Sequence, residues 1–412
     1  MELEMEKGFK QTEFGTIPND WKEVNLGKSS VLKARIGWQG LTTAEYLKTG
    51  DYFLITGTDF KNGYIDWDNC VYVERIRYDQ DKNIQIKVED VLVTKDGTIG
   101  KVAYVDKLPM KTTLNSGVFV IRPINNFYNA RYFYFVLRSR HFKEFLGKLT
   151  AGSTISHLYQ KDFVHYSFPL PPTIAEQKAI ATALSDVDDL ISCLDALIAK
   201  KKAIKQGAMQ QLLTPNESWE TKTIKELAIY RRGSFPQPYG LSKWYDDING
   251  MPFVQVVDVD KNNKLKPETK QKISLEGSKK SVFVEKGTII LTLQGSIGRI
   301  CITQYDAYVD RTLLIFESIS SDISKYFFML SVWLKFQIEK ENAPGGIIKT
   351  ITKEALSKFE ITYPEINEQN RIAQILSDMD QELEELATKK QKYEHIKQGM
   401  MQELLTGKIR LV

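Results

Sequence analysis

The chain states the same long segment twice. Glu176-Gln177 through Leu213-Thr214 aligns without a gap on Glu368-Gln369 through Leu405-Thr406. Identical pairs include Ile180/Ile372, Ala181/Ala373, Leu184/Leu376, Ser185/Ser377, Asp186/Asp378, Asp188/Asp380 and Leu194/Leu386. A chain duplicated in this way folds as two related halves. In the first copy Ile180, Leu184, Val187, Ile191, Leu194 and Ile198 alternate steps of four and three, and Ile372, Leu376, Met379, Leu383 and Leu386 repeat them. That spacing is a heptad seam, which buries against another helix. Thr173 with Glu176 reads as a capping box and Pro215 as the stop of the first helix; Asn367 and Gly407 read as cap and stop of the second. Each helix is expected to be a rod of roughly 50–60 Å.

The expected architecture is α/β (α+β). Two globular units of mixed strand and helix content are separated along the chain by two long antiparallel paired helices, related by a pseudo-twofold. The expected boundaries are 1–172 and 215–365 for the globular units, with 173–214 and 366–412 for the helices. Weaker echoes precede the helices. Val91-Leu92-Val93-Thr94 leads into Asp96-Gly97-Thr98-Ile99-Gly100-Lys101 as Ile289-Ile290-Leu291-Thr292 leads into Gln294-Gly295-Ser296-Ile297-Gly298-Arg299. Both read as a β-hairpin with a glycine turn. Pro18-Asn19-Asp20-Trp21 likewise answers Pro215-Asn216-Glu217-Ser218-Trp219, as if the end of the second helix led back to the start of the chain.

Composition narrows the class. With 42% hydrophobic and 26% charged residues over 412 positions, the chain has the profile of a folded protein. A net charge of +4 excludes a histone-like polycation and leaves room for local basic surfaces. No apolar run approaches the ~18–20 residues needed to span a bilayer. The opening Met1-Glu2-Leu3-Glu4-Met5-Glu6 has no secretory h-region, and Cys70, Cys193 and Cys301 are widely spaced. A reducing cytoplasm is therefore expected, without disulfide or zinc framework. His141, His157, His165 and His395 have no ligand spacing, so no metal site is expected.

Similar helices and divergent globular units suggest a fixed frame carrying two different readers. Between 95 and 150, Lys95, Lys101, Lys107, Lys111, Arg122, Arg131, Arg138, Arg140, Lys143 and Lys148 face only Asp96, Asp106 and Glu144. The second unit carries Arg231-Arg232, Lys261, Lys264, Lys266, Lys270, Lys272, Lys279 and Lys280. Such surfaces suit a phosphate backbone, although charge runs also serve as solvated faces. The candidate DNA contacts are Arg35, Trp38 and Gln39, then Lys95, Gly97, Thr98, Gly100 and Lys101, then Ser153, Thr154 and His157. In the second unit they are Arg231, Arg232, Ser234, Gln294, Gly295, Ser296, Gly298, Arg299 and Lys349. Glycines let backbone N–H groups approach a ligand, or else serve turn geometry alone. Arginine and glutamine match guanine and adenine edges. No catalytic motif is found: the Gly97–Val102 run has the wrong spacing for a P-loop, and no Asn/Asp-Pro-Pro-aromatic run for base methylation exists.

Across essentially its whole length the sequence resembles the specificity (S) subunits of Type I restriction-modification enzymes. The resemblance rests on the two glycine turns with Lys101 and Arg299, on Pro169-Leu170-Pro171-Pro172, and on Glu176-Gln177, Ile180-Ala181, Leu184-Ser185 and Asp188. Gln210-Gln211-Leu212-Leu213-Thr214 and Gln402-Glu403-Leu404-Leu405-Thr406-Gly407-Lys408-Ile409-Arg410 complete it. Tyr363-Pro364-Glu365 departs from the usual Pro-rich lead-in.

The resemblance implies two target recognition domains, each reading half of a split site in double-stranded DNA. The paired helices would set the spacing of the halves and dock two methyltransferase (M) subunits through the seam. It further implies a chain that is not itself an enzyme and holds no cofactor. S-adenosylmethionine would belong to the adenine-methylating partner; ATP and Mg²⁺ would belong to motor-nuclease (R) subunits. Readers about one helical turn apart would leave a fixed gap of unread bases. The competing readings are a Type IIB-like or orphan specificity chain, a self-contained methyltransferase or nuclease, and a coiled-coil scaffold that binds protein only.

Overall fold

A computed structural model describes residues 8–150, 157–342 and 351–411. The chain forms two compact units, Met1–Ala196 with Ala387–Val412 and Leu197–Leu386. This division cuts both long helices in the middle, whereas the sequence reading places each helix as a separate piece.

In the first unit a four-stranded antiparallel sheet runs Val102–Tyr104, Val91–Thr94, Val118–Pro123, Ser30–Lys33 in spatial order. Its central strand Val91–Thr94 is buried on both faces, so its sequence is an unbroken apolar run closed by a threonine. Alternation divides that run between two cores. Val91, Val93, Tyr104, Phe119 and Ile121 join an aromatic-rich core with Phe133, Phe163 and Tyr166. Leu92, Ala103, Val118 and Val120 point the other way, onto Phe53, Ile55 and Leu114 of a second, three-stranded sheet. In that sheet Thr112–Leu114 lies parallel to Phe53–Ile55. Each fully buried aliphatic side chain here contributes about 1.5–3 kcal/mol.

The second unit repeats the plan. Its four-stranded sheet runs Ile300–Ile302, Ile289–Thr292, Leu313–Ile319, Ala228–Arg232. Ile289, Leu291, Leu314 and Phe316 face one core; Ile290, Cys301, Leu313 and Ile315 face the other. The parallel pair recurs as Met251–Val254 beside Ala307–Val309.

The long helices span Ile174–Leu212 and Ile366–Leu404, 39 residues each. At about 1.5 Å per residue that is roughly 60 Å apiece. Within the first unit Asp188 pairs with Lys397 and Asp195 with Lys390, so one helix advances as the other recedes. Within the second, Lys205 pairs with Asp380 and Lys201 with Glu382 in the same sense. Of the expected seam, Ile180, Leu184, Leu194, Ile372 and Leu376 are buried, while Val187, Ile191, Ile198, Met379, Leu383 and Leu386 are half-buried. The seam does not bury only against a helix. Ile180 and Leu184 belong to the aromatic-rich core of the first unit, and Ile372 and Leu376 to the matching core of the second.

Two caps differ from expectation. Glu176 N–H donates to Thr173 Oγ1 at 3.1 Å, but the capping box is left half-made because the Glu176 carboxylate is held by Arg410. Asn367 is not the cap of the second helix, which already begins at Ile366. Gly407 does end that helix, at φ +70°, and its N–H donates to Leu404 O. A side chain at Gly407 would strike Pro18 and Trp21. Beyond it the Arg410 guanidinium bonds both oxygens of Asp20 at 3.1 Å, tying the tail to the Pro18–Trp21 segment.

Candidate nucleic-acid interface

In both units the hairpin turn is built by one threonine. Thr94 Oγ1 donates to Thr98 O and accepts from Lys101 N–H at 2.9 Å, while Gly100 N–H donates to Thr94 O. Thr292 Oγ1 likewise donates to Ser296 O and accepts from Arg299 N–H at 3.0 Å, with Gly298 N–H on Thr292 O. Both threonines are buried; of the residues they hold, Thr98 and Lys101 are exposed and Ser296 and Arg299 half-buried.

The two glycines of each turn do different things. Gly97 (φ +67°) and Gly295 (φ +66°) are exposed, with open space at Gly97 and only Val256 within reach at Gly295. Gly100 and Gly298, at φ +78° and +82°, lie instead against Leu146 and Phe336. Expected as DNA contacts, these second glycines pack inward: a β-carbon at Gly298 would strike Phe336, and one at Gly100 would displace the end of the Leu146 side chain. Thr98, Lys101 and Gln294 are exposed; Ser296 and Arg299 are half-buried, and Arg299 donates one bond to Val259 O at 2.8 Å.

Other loops converge on each turn. In the first unit Lys95 N–H donates to Gly117 O and Leu158 N–H to Lys95 O, so 95–100, 115–117 and 157–158 lie together. His157 is bonded to Asp96, and the two residues also form a β-bridge. The Lys95 ammonium lies over the Phe119 ring at 5.5 Å. In the second unit Leu293 N–H donates to Thr312 O, Gly233 N–H to Leu313 O and Ser234 N–H to Val309 O. The turns at 233–235, 293–299 and 310–312 are thereby joined. Ser234 Oγ donates to Lys280 O; Arg231 and Arg232 are exposed, Arg231 lying 3.9 Å from Glu317.

Arg35 is a correction. Expected on the DNA face, it is 1% exposed and bonds Leu114 O, Arg77 O, Thr113 Oγ1 and Gln80 Oε1. Burial, reinforced by the neighbouring Arg77 charge, lowers its pKa from the ordinary arginine value. It ties the Ser30–Lys33 strand exit to the second sheet and cannot reach a base. Gln39 is half-buried with its side-chain oxygen unpartnered; Trp38 lies in the short 3₁₀ turn Gly37–Gln39. Ser153, Thr154 and Lys349 lie outside the described residues.

The basic count of the first unit also shrinks. Arg122 is bonded to Asp90 and to two backbone carbonyls, Arg138 to Asp188, and Arg140 to Glu144. Arg131 sits 5.5 Å over the Tyr104 ring. Asp90 and Asp188 lie outside the 95–150 window, so a windowed count omits them. Lys101, Lys107, Lys111, Lys143 and Lys148 stay exposed and, among the described residues, form no ion pair. Sequence reasoning also passed over Arg311, on the 310–312 turn; no periodicity or glycine marks that turn. Among the described residues no group of three or more His, Cys, Asp or Glu could hold a metal ion, and no helix is long and apolar enough to cross a membrane.

Two mixed units, each presenting a glycine turn followed by a cation and each tied to a heptad helix, define a tandem recognition chain. The family model described as the Type I restriction modification DNA specificity domain matches twice, at residues 18–204 and 216–396, and the chain belongs to that family. It is 28% identical to a putative type I restriction enzyme MjaX specificity subunit of Methanocaldococcus jannaschii, over 98% of this chain and 97% of that one. It is 24% identical to the type I restriction enzyme MjaVIII specificity subunit of the same organism, over 100% and 98%. The fold is similar to a crystal structure of a Type-I restriction-modification system S subunit from M. genitalium. That match has TM-score 0.62 and 15% identity, covering 98% of both chains.

Proposed function

We propose that this chain is the DNA-specificity subunit of a Type I restriction-modification enzyme, acting in the cytoplasm and without catalytic chemistry of its own. Each globular unit reads one half of a bipartite duplex site. The paired helices fix the separation of the halves and dock two methyltransferase subunits through the exposed helix faces that flank the buried seam. Those subunits supply S-adenosylmethionine and methylate adenine; motor-nuclease subunits supply the ATP- and Mg²⁺-dependent cleavage.

The observation that carries the reading is the duplicated threonine-held turn. One backbone frame occurs in both units, and its outward residues differ: Gly97-Thr98 with Lys101 against Gly295-Ser296 with Arg299. A shared support with divergent tips suits two readers of different base sequences. The exposed cations beside the turns would position phosphates, and the tips would meet base edges.

The test is reconstitution of the full chain with its methyltransferase partner, followed by mapping of methylated adenines. The expected product is a split motif with a constant gap, formed only when both proteins are present. DNA labelling or cutting by this chain alone would instead favour a self-contained enzyme. Absence of a linear fall of log K with log salt would favour a scaffold that binds protein only.

A further inference from the structure

We infer that Arg311 is a guanine-reading residue of the second unit, an inference that rests on the DNA-specificity reading above. Arg311 is exposed on the turn between the strands Ala307–Val309 and Leu313–Ile319, and among the described residues it forms no ion pair. The turn is rigid. Asp310, 5% exposed, uses its carboxylate on Thr312 N–H at 2.9 Å and Thr312 Oγ1 at 2.6 Å, so the adjacent acid faces inward. Thr312 O accepts from Leu293 N–H at 3.0 Å, which sets Arg311 beside the Gln294–Arg299 turn.

The guanidinium is also braced. Its carbon lies 4.5 Å over the Phe235 ring, and Phe235 meets the 62%-exposed Tyr239 edge-on at 4.7 Å. Phe235 can be there because the chain crosses the 309–310 backbone at Gly233, where a β-carbon would come within 2.3 Å of Val309 O. A guanidinium held over a ring has fewer rotamers to lose on binding, and its five donors form an intrinsically flat fork. That flat fork matches the O6 and N7 acceptors of guanine in the major groove. A phosphate can also take such a fork. Cations for the backbone are, however, already supplied by the exposed Arg231 and Arg232, on the strand that leads into the 233–235 turn, and by Lys280, whose carbonyl accepts from Ser234 Oγ.

Comparison of the units favours base over backbone. The matching turn of the first unit, after Thr112–Leu114, carries Ser116, and its Gly117 O accepts from Lys95 N–H as Thr312 O accepts from Leu293 N–H. The scaffold bond is kept and the side chain is changed, as expected of a residue that sets sequence.

The test uses the full chain reconstituted with its methyltransferase partner, with methylated motifs mapped for wild type, Arg311→Ala, Arg311→Lys and Phe235→Leu. Arg311→Ala and Arg311→Lys should both relax one G·C position in one half-site, with discrimination there falling about tenfold or more. The other half-site should be unchanged. Phe235→Leu should relax the same position more weakly. Thermal unfolding of each variant checks that the unit is intact. Retention of the wild-type motif by Arg311→Ala, or uniform weakening across all sequences by that variant, would overturn the inference, the second outcome in favour of a phosphate contact. A wild-type complex yielding no split motif would overturn the specificity reading itself.

Discussion

Asp188 on the first long helix pairs with Lys397 on the second, and the same carboxylate takes Arg138 from the globular part of its unit at 3.1 Å. In the other unit Asp380 takes Lys205 and, at 2.9 Å, the Tyr326 hydroxyl. One acid in each half thus joins both helices to the globular part. Asp188 and Lys397 are almost wholly buried, whereas Asp380 is one-third exposed. Asp188→Ala should destabilise the first unit by about 3 kcal/mol, because two cations lose their partner in a desolvated place. Asp380→Ala should cost about 1 kcal/mol or less after solvent screening. Denaturant unfolding of the two variants should reproduce that order.

Glycine substitutions separate support from contact. Gly97→Ala meets open space and pays only for its left-handed backbone, about 1 kcal/mol. Gly298→Ala adds a collision with Phe336 and should cost about 2–4 kcal/mol. Melting curves should rank the two in that order. DNA affinity should fall in Gly97→Ala by more than its stability loss explains.

Lys101 is exposed and forms no ion pair among the described residues, so its removal leaves nothing unsatisfied in the fold. Lys101→Ala should keep the melting temperature, weaken DNA binding by the reconstituted complex, and reduce the salt slope by about 1. Lys101→Glu should weaken binding further. An unchanged slope in titrations over a range of salt concentrations would remove Lys101 from the interface.

The cysteines give a chemical and pH-dependent signature. Burial pushes the Cys70 thiol up to about 12 and raises Cys301 above its ordinary value, while Cys193 is exposed. A thiol reagent at pH 8 should therefore modify Cys193 quickly and the other two only after unfolding. The folded chain keeps the Cys70 proton, whereas the unfolded chain releases it near the ordinary thiol value of 9. Stability should accordingly fall as pH rises from about 9 towards 12. Burial raises Tyr104 to about 12 in the same direction, so alkaline denaturation should coincide with the appearance of tyrosinate absorbance.

The helices and hairpins were legible because both are written as periodicity: steps of three and four on the seam, alternation on the strands. The duplicated copy doubled that signal. What failed to show was long-range. Arg35 beside Trp38 and Gln39 has the chemistry of a base reader. Only the fold reveals that Leu114 and Thr113 lie where its guanidinium turns inward. Glu176 matches a capping box locally, yet Arg410, far along the chain, takes its carboxylate. Gln177 and Gln369 are similar cases. Each is buried and accepts from a backbone N–H of the globular part, Asn129 or Ser324, while donating to the carbonyl of Pro171 or Pro364. A pair of letters repeated in both halves records that such a bond matters without recording its partner.

The threonine clasp bears on how such a chain can diversify. Because the hydroxyl grips only main-chain atoms of residues 98 and 101, or 296 and 299, the identity of the side chains on those residues is free of the grip. Mutation at the tip can therefore alter what is touched outside while the loop keeps its shape. A lineage carrying this turn can try new targets one residue at a time, without first relearning how to fold.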